Sequence, residues 1–99
     1  MPNKREDHNY TIRGKKFLWR YTALRGKAVG WAYIDGKILI DDRLTGQKRL
    51  DTEIHEFLHA AYPDLNEEAV DITASDLARI LYALGYRRNE QVHRDDESR

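Results

Sequence analysis

The chain has 99 residues, of which 34% are charged, with Lys+Arg and Asp+Glu balanced at 17 each. That size and balance describe one small domain with no net field drawing it towards nucleic acid or anionic membrane. Cysteine is absent, which excludes a disulfide framework and thiolate ligation, so any metal must be held by His and carboxylate.

The N-terminal MPNKREDHNY lacks the apolar core of a secretory signal, and no apolar run approaches membrane-spanning length. A cytoplasmic protein with no membrane partner is the expectation. Residues 1–9 and 87–99 are polar and charged and read as tails, leaving residues 10–86 as the folded domain.

KKFLWRYTALR alternates Phe17, Trp19, Tyr21 and Ala23 on one face with Leu18, Arg20, Thr22 and Leu24 on the other. This is a strand period in strand-favouring residues. AVGWAYI repeats the pattern, and Asp35-Gly36 is a hairpin signal joining it to KILID. The expected fold class is α+β, a three-stranded antiparallel meander followed by two packed helices.

Thr45 is the N-cap expected for the first helix, whose apolar stripe is Leu50, Ile54, Phe57, Leu58 and Ala61, with Pro63 stopping it. Asn66 is the N-cap expected for the second, with the stripe Val70, Ala74, Leu77, Leu81 and Leu84 and a stop at Gly85. The short PDL link implies an antiparallel or sharply bent helix pair.

His55-Glu56-Phe57-Leu58-His59 spells HExxH on the first helix. Residues four apart share a helix face with Cβ atoms roughly 5–6 Å apart, so two imidazoles can converge on one ion. Glu56 is then placed to take a proton from water rather than to bind metal. These three lie within an arc of about 100°, clear of the apolar stripe. The competing reading makes both histidines surface groups on a charged helix, so a third ligand is needed.

Helix geometry selects it from the acidic cluster that follows. Measured from the second helix's apolar stripe, Glu67 points about 60° away and Glu68 about 160° away. Glu67 therefore borders the packed side and is the expected ligand, while Glu68 is a solvated charge. Asp71, one turn on, can accept the outer N–H of a ligating histidine.

HEFLH followed by NEEAVD resembles the gluzincins, the thermolysin-like zinc metallopeptidases, and their minimal minigluzincin core. Similar HExxH-plus-Glu segments occur in short phage and bacterial proteins of unassigned function. The resemblance implies Zn2+ held by His55, His59 and Glu67, with Glu56 as general base and acid. It also implies that Asn66 and Asp71 hydrogen-bond the ligating histidines. Only seven residues separate His59 from Glu67, a shorter gap than in thermolysin.

Tyr82 and Tyr86 are candidate transition-state stabilisers, against the competing reading that they pack in the core or on the surface. His93 is an alternative ligand, discounted for its place in the tail. The expected activity is hydrolysis of a peptide or protein substrate bound as an added strand along a sheet edge. One alternative is a non-catalytic, zinc-stabilised binding module. A less favoured one is nucleic-acid binding by Arg13, Lys15, Lys16 and Arg20 interleaved with Phe17, Trp19 and Tyr21, where the plainer account turns those aromatics towards the helices.

Overall fold

A computed structural model of the chain describes residues 6–88. It contains four strands, β1 (Glu6–Ile12), β2 (Lys15–Thr22), β3 (Gly30–Tyr33) and β4 (Lys37–Asp41), followed by two helices, α1 (Gly46–Ala61) and α2 (Glu67–Ala83). The expected α+β class holds, but the three-stranded meander does not. The sheet is mixed, in the order β1-β2-β4-β3, with β2 and β4 parallel.

Two features account for the difference. Residues 6–9, expected within a tail, belong to β1, which pairs with β2 along its whole length from Glu6↔Tyr21 to Ile12↔Lys15. β1 is polar, so its own residues give little strand signal, yet it is held across the ladder by Arg20, whose Nε and Nη2 donate to Asp7 at 2.9 and 3.1 Å. Arg13 and Gly14 make the turn, both at positive φ (49° and 85°), as a two-residue I′ hairpin requires. The other feature is the connection over residues 23–29, long enough to carry the chain past one strand position before the β3–β4 hairpin folds back. Residues 1–5 and 89–99, including His93 and all but the first two residues of the expected C-terminal tail, lie outside the described residues.

Asp41 anchors that connection. Its buried carboxylate accepts from the Arg43 backbone N–H and from Arg43 Nε, both at 2.9 Å, while Arg43 Nη2 donates to the Leu24 carbonyl at 2.8 Å. The Arg43 hydrogen bonds hold the Asp41 carboxyl below its usual range against the opposing effect of burial. Asp41→Asn is expected to lose about 2 kcal/mol of stability by urea unfolding at neutral pH. A depressed folded pKa contributes stability that is present above the unfolded value of ~4 and lost as pH falls through the folded one. The variant's deficit should therefore shrink in acid.

One sheet face, with Phe17, Trp19, Tyr21, Ile38 and Ile40, looks towards the helices and builds the core with Ile12 and Ala61. Tyr21 donates its hydroxyl to Glu53 of α1 at 2.6 Å. The sequence placed Ile54, Phe57 and Leu58 on the core side of α1. Instead the buried α1 residues are Thr52, Glu56 and Ala61, and Phe57 is exposed, because α1 lies over β3 and β4 with its polar face turned to the sheet.

On α2, Val70 and Ala74 are buried as expected. The stripe continues through Ala78, whereas Leu77 and Leu84 are exposed. Small residues at i, i+4 and i+8 let α2 approach α1 closely. Asn66 caps α2, accepting from the Ala69 N–H at 2.8 Å, and the Tyr86 N–H closes the other end on the Leu81 carbonyl at 3.0 Å with Gly85 at φ 98°. Thr45 sits at the N-cap of α1 without a side-chain capping bond.

Candidate metal centre

The antiparallel packing of α1 on α2 brings the HExxH turn against the first turn of α2. Glu67 spans the two histidines, with one oxygen 3.2 Å from His55 Nε2 and the other 3.1 Å from His59 Nε2. The two Nε2 atoms are 3.2 Å apart. Four-coordinate zinc with ligands at ~2.0–2.1 Å separates its donors by roughly 3.3 Å. The two Nε2 atoms thus stand near the separation one small ion requires, each with a different Glu67 oxygen at a similar distance. His55, His59 and Glu67, whose ligand atoms all lie within 4.8 Å of one another, can together hold a metal ion.

His55 Nδ1 lies 3.2 Å from Asp71 Oδ1. An N–H donated there leaves Nε2 as the ligating atom and fixes the ring plane. Asn66, expected to contact a histidine, instead spends its side-chain oxygen on the α2 cap. Among the described residues, Glu68 stands outside the cluster. Glu67 is largely exposed, its carboxylate reaching back from the rim of α2.

Glu56 is 6% exposed and its carboxylate makes no hydrogen bond to the described residues. Burial pushes its carboxyl up to about 7, the Glu67 charge adds to the rise, and His55 opposes it. It shares a hollow of about 490 Å³ with His55, His59 and Glu67, walled across from α1 by Gly30, Trp31, Ala32, Tyr33 and Ile34. That wall is the edge strand.

The Asp41 N–H donates to the Val29 carbonyl at 2.9 Å, so alternation directs the hydrogen-bonding groups of Val29, Trp31 and Tyr33 at β4. Those of Gly30 and Ala32 face the other way, along the open edge beside the hollow. Compared with known families, curated proteins and solved structures, the chain shows no match.

Tyr82 and Tyr86 are not brought to this hollow. They line a separate cleft with Gly46, Arg49, Glu53 and Arg87, and the Arg87 guanidinium covers the Tyr82 ring at 3.4 Å. Phe17 and Tyr21 are buried on the helix-facing side of the sheet, with Trp19 partly buried beside them.

The residue that sequence reasoning missed is Gly30. A Cβ there would stand 2.9 Å from Glu56 Cγ, Glu56 Oε2 and Thr52 Cγ2. A lone glycine inside a strand pattern is a signal for such close backbone approach. Gly30→Ala is expected to displace Glu56, costing about 1–3 kcal/mol of stability, since overpacking has no slack to absorb it. Metal stoichiometry should be unchanged, because the atoms nearest the new methyl belong to Glu56 and Thr52 and not to the candidate donors His55, His59 and Glu67. Urea unfolding and metal analysis of the variant check both statements.

Proposed function

We propose that the chain is a zinc-dependent peptide hydrolase built on a minimal zincin-like core of the gluzincin type. The observation that carries this reading is the donor triangle of His55, His59 and Glu67, set at metal-compatible spacing beside a buried carboxylate that takes no part in it. His55 Nε2, His59 Nε2 and Glu67 would hold Zn2+, which when bound acidifies water to a pKa of about 7 and polarises a carbonyl.

Glu56 serves as the proton carrier, accepting a proton from the attacking water at its carboxylate and delivering it to the leaving amine. The missing side chain at Gly30 leaves the space that carboxylate occupies, buried at the lining of the hollow. Asp71 holds the His55 ring. The outward N–H and C=O groups of Gly30 and Ala32 would receive an extended peptide as a fifth strand, a main-chain recognition with little side-chain selectivity.

The experiment is metal analysis of the purified chain, paired with cleavage of an unfolded protein with and without chelator. One zinc per chain and chelator-sensitive cleavage are expected. A chain purified without zinc that cannot take it up sinks the metal reading. Stoichiometric zinc without cleavage sinks the hydrolase reading and leaves a metal that only pins α1 to α2.

A further inference from the structure

α2 is apolar over more of its circumference than its packing on α1 uses. Val70, Ala74 and Ala78 are fully buried, while Leu77, Ile80 and Leu84 are 40%, 47% and 68% exposed. At 100° per residue these two sets lie about 90° apart around the helix. The second set is a continuous flank at helical spacing, not a scatter of isolated side chains.

Leu77 also forms one wall of a groove of about 550 Å³, whose other walls include Tyr10 and Trp19 from the sheet and Phe57 and Leu58 from α1. The groove exists because α1 packs over β3 and β4, so the helix-facing side of β1 and β2 has room for one more helix. An apolar ridge and an apolar helix-sized groove thus lie side by side on one face.

We propose that this face pairs with a second copy of the same chain, the α2 flank of each copy lying in the groove of the other. A ridge beside a groove permits an isologous two-fold contact, in which one rotation places each ridge in the other copy's groove. Tyr10, Phe57, Leu77, Ile80 and Leu84 leave on the order of 500 Å² of apolar side chain open per copy, the larger part of the roughly 800 Å² per partner that a stable interface buries. The chain's own ends are poor occupants. Arg88 lines the groove and residues 89–99 follow directly from it, but they and residues 1–5 offer only Met1, Pro2 and Val92 as apolar side chains.

The face lies away from His55, Glu56 and His59, so pairing leaves the metal hollow open, and the inference stands apart from the proposed activity. Light scattering of the full chain over a range of concentrations tests it. The expected result is a mass twice the 11.7 kDa of one chain, reverting to a single chain in Ile80→Glu and in Leu84→Glu with an unchanged helical circular-dichroism spectrum. Ile80 is nearly half exposed and Leu84 more so, so the folded monomer tolerates the change.

Wild-type protein at the single-chain mass throughout overturns the proposal, as does a dimer that persists in both variants. So does a monomer in which this face is protected from hydrogen exchange, which would mean that the chain's own terminal segments cover it.

Discussion

Glu56→Gln should retain one zinc per chain yet lose hydrolysis by about 10²–10⁴-fold, the usual contribution of a positioned acid–base group. The separation of the two readouts follows from placement. The carboxylate of Glu56 is outside the donor triangle, so an amide there removes the proton carrier and leaves every ligand in place. The same variant carries a second, opposite expectation. A buried carboxylate with no hydrogen-bond partner among the described residues is costly to bury when charged, and a neutral amide of the same shape is less so. Chelated Glu56→Gln protein should therefore be about 1–2 kcal/mol more stable than chelated parent at pH 8 by urea unfolding. A variant that cleaves as fast as the parent would remove Glu56 from the mechanism. One that lost its zinc would make Glu56 part of the binding site.

The contrast between stability and activity at Glu56 bears on what the sequence could disclose. HExxH fixed His55, Glu56 and His59 on one helical arc because helix geometry is local, and Asn66-to-Asp71 could be oriented by the same arithmetic. Glu67 and Asp71 accordingly meet the histidines, and Glu68 does not.

The arithmetic could not say which face of α1 would be buried, since that depends on which strand lies beneath it. The apolar residues Ile54, Phe57 and Leu58 suggested the core, but the close approach of Gly30 drew Glu56 inside and left Phe57 out. Strand order was hidden for a related reason. Phe17, Trp19 and Tyr21 mark β2 by alternation, whereas β1 is recruited by pairing with β2 and by the Asp7–Arg20 contact, interactions that no single segment encodes. Tyr82 stands 15 residues beyond Glu67 on α2, roughly 22 Å along the axis at about 1.5 Å per residue, and Tyr86 lies past the helix end. Helix rise alone carries both to the N-terminus of α1 and out of reach of the candidate donors.

Glu67→Ala should weaken zinc binding far more than Glu68→Ala, with Asp71→Asn in between. Among the described residues Glu67 is the one candidate donor from α2, and its two oxygens meet the two histidines of α1. Losing it would delete a candidate donor and also the tie that a bound ion would make between the two helices. Asp71 contacts His55 at Nδ1, and loss of such a partner costs roughly 10–100-fold in metal affinity. Glu68 lies outside the donor group, so its removal should change affinity by less than about threefold, within the ±0.5 kcal/mol typical of surface changes.

Because the candidate donors come from both helices, a bound ion would brace α1 against α2 and its removal would loosen them. With free zinc at a hundred times its dissociation constant, the bound ion adds about 2.7 kcal/mol to the folded state. In a domain of this size that is on the order of 10–20 °C in Tm. Chelation should lower the parent's Tm by this amount and leave Glu67→Ala nearly unmoved, its Tm already close to that of the chelated parent. Competition titration and thermal scans with and without chelator measure both. Equal zinc affinities for Glu67→Ala and Glu68→Ala would overturn the assignment of Glu67, and a chelator-insensitive Tm in the parent would mean that no ion joins the two helices.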